Sequence, residues 1–184
     1  FNQVLTALQT PAVIEHMRAL LRGKRPELGP VPIEELVRKV VALVRHDAAA
    51  RHVDLQTQVP HDGAAVRADP VQLQQVLLNL VFNGLDALEQ VPPRSRRLVI
   101  SARLLDDTQV KLMVRDTGPG LPKEALARVF EPFHTTKAHG MGMGLAICRS
   151  LVESMDGSID ANNQIDGGAA FRIVLPRADG PAQA

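Results

Sequence analysis

Two asparagines four residues apart, Asn79 and Asn83, lie in a stretch whose polar residues Gln72, Gln75, Asp86 and Gln90 recur at helical spacing. At about 100° per residue these side chains share one helix face, and Leu73, Leu77, Leu80, Val81, Gly84 and Leu88 share the opposite one. A face that merely meets water is usually filled with Lys, Glu and Arg. Asn and Asp form helices poorly, because their side chains compete for backbone hydrogen bonds. Amide oxygens at this spacing suit a hard cation such as Mg²⁺, which prefers oxygen ligands and keeps phosphates and waters in its shell. An ordinary polar face is the alternative, and spacing alone leaves both open.

A second cluster, Asp116-Thr117-Gly118-Pro119-Gly120-Leu121-Pro122, follows a predicted strand. Glycines let a loop pass close to a ligand, and a carboxylate at a strand end can accept a hydrogen bond from an exocyclic amine. The same residues would also make a tight turn capped by Asp. A third cluster, Gly140-Met141-Gly142-Met143-Gly144, runs into a helix bearing Leu145, Ile147, Leu151 and Val152. A glycine loop feeding a helix N-terminus presents unpaired N–H groups and a positive dipole end to an anion, although Gly-x-Gly-x-Gly by itself is a weak signal. Between these clusters, Phe130-Glu131-Pro132-Phe133-His134-Thr135-Thr136-Lys137 offers paired aromatics as a hinge and Thr, Thr and Lys as phosphate contacts.

The patterning around the clusters predicts the elements that carry them. Apolar residues from Val13 to Leu21 form a helical stripe, and the proline- and glycine-containing stretch Arg22–Pro32 reads as a linker. Pro32 opens a second helix, with Glu34 and Glu35 at its positive end and Ile33, Leu36, Val37, Val40, Val41 and Val44 on its buried face, ending near Ala50. A strand over Val53–Val59, a turn at Pro60–Gly63 and a short strand about Val66 follow. Asp69 caps the long amide-bearing helix, with Pro70 at its first position. Beyond a loop containing Arg94, Arg96 and Arg97 come two hairpin strands, Leu98–Leu105 and Val110–Arg115. Then follow a helix over Met143–Met155, a turn at Asp156-Gly157, strands at Ser158–Ala161 and Ala170–Leu175, and a frayed tail. This order predicts an α/β (α+β) two-layer sandwich, one layer of helices on a mostly antiparallel sheet.

The 184 residues are 45% apolar, and 21 Lys and Arg against 20 Asp and Glu leave a charge of +1, which suits one domain with an appendage. Near-neutral charge supplies no reason to seek nucleic acid or anionic lipid, and no apolar run approaches the roughly 20 residues of a membrane span. Cys148 is the only cysteine, so no internal disulfide can form; a cytoplasmic setting is the expectation. The opening residues lack a signal sequence, and the chain reads as a piece of something longer.

Taken together and in order, these elements resemble the catalytic and ATP-binding domain of sensor histidine kinases, within the wider family that includes the gyrase, Hsp90 and MutL ATPase domains. Asn79 to Asn83 resembles the asparagine box, Asp116-x-Gly118-x-Gly120 the first glycine box, Phe130 to Phe133 the phenylalanine box, and Gly140 to Gly144 the second glycine box. The resemblance spans about residues 32 to 176. It implies a mixed, mostly antiparallel sheet against about three helices, with ATP between the long helix and a mobile lid from about Phe133 to Met141. Residues 1–29 would be a remnant of the dimerisation-hairpin helix plus linker, 30–178 the ATP-binding domain, and 179–184 a flexible tail.

Carried over by that resemblance, Asn83 would hold Mg²⁺ at the phosphates and Asn79 would help hold the phosphate region. Asp116 would accept from the adenine amine. Gly118 and Gly120 would let the backbone pass base and ribose, Gly140, Gly142 and Gly144 would offer N–H groups to the phosphates, and Lys137 would reach them from the lid. The implied activity is transfer of the γ-phosphoryl group to a histidine on a dimerisation domain absent from this chain, for relay to a response regulator. The parent would be a homodimer that a membrane can anchor, although this piece has no membrane contact of its own. Alternatives are a nucleotide-binding regulatory module without phosphotransfer, or an ATPase of the gyrase type.

The hydrolysing relatives have Glu where Asn79 stands, and an amide cannot take a proton from water. No acceptor-histidine motif is present: His16 is followed by Met17 and Arg18, and His134 and His139 fall within the lid. The family often has Thr where Ala169 stands, supporting the adenine-binding Asp through its hydroxyl, a contact this chain would lack. Asp86 would either order a water near the metal or serve packing, and Cys148 reads as a small packing residue.

Overall fold

The computed structural model describes residues 26–60, 64–133 and 142–178. The stripe over Val13–Leu21, the Pro60–Gly63 turn beyond Pro60, the segment 134–141 and the tail from residue 179 lie outside the described residues. In chain order the elements are β1 (Gly29–Pro32), α1 (Ile33–Ala50), β2 (Asp54–Gln58), β3 (Ala65–Ala68), α2 (Pro70–Leu88), a 3₁₀ turn (Pro93–Ser95), β4 (Arg97–Leu104), β5 (Gln109–Asp116), α3 (Lys123–Leu126), α4 (Gly144–Ser154), β6 (Ser158–Asn163) and β7 (Ala169–Pro176).

Five strands form one sheet in the order β2-β4-β5-β7-β6, parallel between β2 and β4 and antiparallel elsewhere. Helix α2 packs on β4 and β5 with α1 and α4 as its neighbours, which makes the predicted two-layer sandwich. Alternate residues of the strands supply the sheet side of the core: Leu98, Ile100, Leu112, Val114, Ile173 and Leu175 are each at most 2% exposed. The facing stripe of α2, including Leu73, Leu77, Leu80, Val81 and Leu88, is fully buried. At the start of α2 the Asp69 carboxylate accepts from the Val71 and Gln72 N–H groups at 3.0 Å, with Pro70 behind it, as its sequence predicts.

Two features differ from expectation. Gly29–Pro32, read as linker, is a strand, because Val31 is buried and the segment pairs antiparallel with Ala65–Ala68 to form a separate two-stranded ribbon. Prolines at alternate positions are tolerated in such an edge strand, where one side needs no ladder donors. The ribbon is tied to the end of β7 by the Ala178 N–H, which donates to the Ala65 carbonyl at 2.9 Å. The short helix α3 is also absent from the sequence reading, since four residues carry no periodicity.

Truncation of the core should cost far more than loss of the cap. Leu112→Ala is expected to lower unfolding free energy by about 2–5 kcal/mol and Asp69→Ala by about 1 kcal/mol, read from urea melts followed by circular dichroism.

Candidate functional site

Strand β5 ends in Asp116, which is 3% exposed and is the one buried charged residue among the described residues. Its Oδ1 accepts from the Gly118 N–H at 2.8 Å and from the Ala169 N–H at 3.3 Å. Burial raises its pKa above the ordinary 3.8, and those two backbone donors pull it partly back. No hydroxyl stands at Ala169, but its main-chain N–H reaches the carboxylate.

Close backbone packing brings the surrounding segments onto Asp116. A side chain at Gly84 of α2 would run into Leu98 of β4, so a glycine lets the helix lie against the sheet beside the carboxylate. A Cβ at Gly118 would come 3.3 Å from both the Cβ and the carbonyl oxygen of Ala87. Gly168, at φ +85°, has its Cα against the Asp116 carbonyl, where a Cβ would overlap backbone atoms. The loop after Asp116 is therefore pressed between the end of α2 and the β6–β7 turn.

The polar face of α2 is half-buried rather than solvated. Asn79 Nδ2 donates to the Gly144 carbonyl at 2.8 Å and lies 3.1 Å from Cys148 Sγ. A carbonyl can only accept, so the amide nitrogen is the atom set on that carbonyl, with Oδ1 beside it against Gly144. Gly144 leaves room for this contact: a Cβ there would sit 2.9 Å from Asn79 Nδ2, so the amide would have to shift. Cys148, read as a packing residue, is 1% exposed, and burial pushes its thiol up to about 12. Asn83, one turn further along α2, is half-buried on the same face.

Near the start of the segment at 134–141, Phe130 is buried edge-on against Phe171, centroids 6.4 Å apart, with the Arg149 guanidinium 4.5 Å from its ring centre. Phe133 is 77% exposed at φ +64°. Of the second glycine cluster, Gly142 (φ +65°) and Gly144 are described; Gly140, Lys137, His134 and His139 lie outside the described residues.

Other side chains take structural parts. Asp86 accepts from Arg51 at 2.7 Å, and Glu89 joins the pair at 2.9 Å, which favours the packing role over an outer-shell one. Arg96 donates to the carbonyls of Arg51, Glu89 and Val91, joining the ends of α1 and α2 to the start of β4. Sequence reasoning missed Asn163, whose amide bonds both backbone groups of Leu121, and the Arg115–Asp166 pair, in which Arg115 Nη2 lies 2.6 and 2.5 Å from the two carboxylate oxygens. Neither shows a periodic or motif signal; each depends on strands brought together by the sheet.

No group of three or more His, Cys, Asp or Glu among the described residues is arranged to hold a metal ion. An amide-only donor set of this kind fits a divalent ion that arrives with most of its oxygen ligands already in place, on phosphates and water. No helix of the described residues is long and apolar enough to cross a membrane.

Asp116→Asn keeps the Oδ1 acceptor and removes the buried charge. A raised native pKa means the folded state holds the proton more tightly, so this group stabilises the native chain below pH 3.8 and loses that contribution as pH rises through the raised value. The stability difference between Asp116→Asn and the native chain should therefore shift in favour of the variant across that window, as urea melts at a series of pH values would read.

The family model described as histidine kinase-, DNA gyrase B-, and HSP90-like ATPase matches residues 68–179. The chain is 37% identical over 174 residues to the C4-dicarboxylate transport sensor protein DctB of Pseudomonas aeruginosa, covering 93% of this chain and 28% of that protein. Among solved structures it resembles the nucleotide-free catalytic domain of histidine kinase ThkA (TM-score 0.72, 29% identity, 82% of this chain and 95% of that one). It also resembles full-length ShkA in complex with AMPPNP (TM-score 0.78, 30% identity, 93% and 35%). The chain spans about a sixth to a third of the length of the first curated relatives it matches. The matched model covers Asp116, the asparagine pair and both glycine clusters, and the chain belongs to the histidine kinase-, gyrase B- and HSP90-like ATPase family.

Proposed function

We propose that this chain is the ATP-binding catalytic domain of a sensor histidine kinase. It transfers the γ-phosphoryl group of Mg-ATP to a histidine on the dimerisation domain of its parent, which passes it to a response regulator. The observation that carries the reading is Asp116: a carboxylate at a strand end, buried, with Oδ1 committed to two main-chain donors, so that Oδ2 is the acceptor left for an adenine amine. Such a group distinguishes a base that donates from one that does not.

Each remaining residue then has a defined task. Gly118 and Gly120 keep side chains out of the way of base and ribose. The backbone of Gly142 and Gly144, with Gly140 and Lys137, faces the phosphates. Asn83 would hold Mg²⁺, which would supply positive charge to neutralise the phosphates. In the transfer, the bond from the γ-phosphorus to its bridging oxygen breaks, a bond from phosphorus to an imidazole nitrogen forms, and ADP departs. A neutral imidazole attacks with its own lone pair and needs no base. Asn79 fits this chemistry better than hydrolysis: its amide donates to the Gly144 carbonyl, a position where a carboxylate base would face a second acceptor.

Titration calorimetry of ATP with and without Mg²⁺ at one fixed salt concentration tests the site. The native chain should bind. Asp116→Asn should weaken binding at least ten-fold, a charged hydrogen bond being worth about 1.5–3 kcal/mol. Asn83→Ala should remove the Mg²⁺ dependence, and added acceptor domain from the parent should become labelled by radioactive ATP. A folded chain that binds no nucleotide would sink the reading. Binding with steady hydrolysis and no labelling would favour an ATPase, and binding without either would favour a regulatory module.

A further inference from the structure

The loop from Asp116 to Leu121 is tied down at few points. At its start, the Thr117 N–H donates to the Arg97 carbonyl at 3.1 Å and the Thr117 hydroxyl to the Ser95 carbonyl at 2.5 Å. At its far end, the Leu121 N–H donates to Asn163 Oδ1 at 2.8 Å and Asn163 Nδ2 donates to the Leu121 carbonyl at 2.7 Å. The side-chain amide thus pairs with Leu121 as a neighbouring strand would. Gly120, at φ +79°, lies close enough that a Cβ would be 2.9 Å from Asn163 Oδ1.

Asn163 is also the backbone partner of Ala169 in the β6–β7 ladder. Ala169 is the residue whose N–H holds Asp116 Oδ1. One rung of the hairpin therefore reaches both ends of the loop, Asp116 through the Ala169 main chain and Leu121 through the Asn163 side chain. The Arg115–Asp166 pair fastens the tip of that hairpin back onto β5.

We propose that Asn163 is a positioning residue for base recognition: it sets the loop Asp116–Leu121 at the distance from the hairpin at which Asp116 reads an adenine amine. The inference rests on the nucleotide reading above. Asn163 touches no ligand in this scheme; it acts through the loop, so its loss should erode selectivity for the base more than affinity for the triphosphate.

The test measures ATP and GTP affinity by calorimetry for the native chain, Asn163→Ala, Asn163→Asp, Asp116→Asn and the double variant Asp116→Asn/Asn163→Ala, with circular dichroism melts on each. Asp160→Ala, which removes an exposed ion pair with Arg172 on the same hairpin, is the control. Asn163→Ala should bind ATP several-fold more weakly with GTP little changed, so that the ATP-to-GTP ratio falls. Asn163→Asp, which keeps the acceptor but not the donor, should fall between. Once Asp116 is replaced, removing Asn163 should change the ratio no further. The proposal is overturned if both Asn163 variants keep the native ratio, or if ATP and GTP weaken together in step with a lower melting temperature. A native chain that binds no ATP, or an Asp116→Asn variant that keeps the native ratio, would instead overturn the nucleotide reading beneath it.

Discussion

Burial of one stripe of α2 governs the rest of the structure. Leu73, Leu77, Leu80, Val81 and Leu88 are withdrawn from water against β4 and β5, and each such side chain contributes about 1.5–3 kcal/mol when fully buried. A helix is stiff, so seating that stripe also settles the height and rotation of the opposite side, where Asn79 and Asn83 stand. Gly84 sharpens the constraint: the helix meets the sheet so closely there that any side chain would displace Leu98. The same contact brings the end of α2 beside Asp116, where a Cβ on Gly84 would come 3.7 Å from the Asp116 Cβ.

Asp116 is held at an energetic cost. Desolvation disfavours its charged form, and the structure offsets part of that cost mainly with main-chain donors, the charge of Arg115, its immediate neighbour in sequence, adding the smallest share. Arg115 is turned away and paired with Asp166. A carboxylate satisfied on one oxygen by N–H groups stays an acceptor on the other, whereas a tight ion pair would have spent both. Gly118 and Gly168 make this arrangement accessible, because the N–H groups reach the carboxylate only if the backbone comes closer than a Cβ allows.

Most elements and the amide, carboxylate and glycine residues were legible in the sequence because each follows from a local rule. Apolar period, cap chemistry and strand alternation mark α1, α2, α4 and the five-stranded sheet to within a few residues. Features that depend on a long-range partner were not legible in this way. Gly29–Pro32 has the composition of a linker and becomes a strand only when Ala65–Ala68 is beside it. Asp86, which the sequence left between an outer-shell and a packing role, is paired by Arg51 from the end of α1. Asn163 has no sequence signature, since its value lies in a loop 42 residues away.

The two-layer architecture, the family and the candidate residues for a nucleotide site can be read from the chain alone, because periodicity, capping and the ordered boxes are properties of neighbouring residues. Folding settles the rest: that the Asn79 amide nitrogen meets the Gly144 carbonyl, that the Ala169 N–H stands where a hydroxyl was missing, and that one rung of the β6–β7 hairpin spans the Asp116 loop. Those are hydrogen bonds between residues distant in the chain. Their donors and acceptors are ordinary, and only the folded register brings them within 2.7 to 3.3 Å of one another.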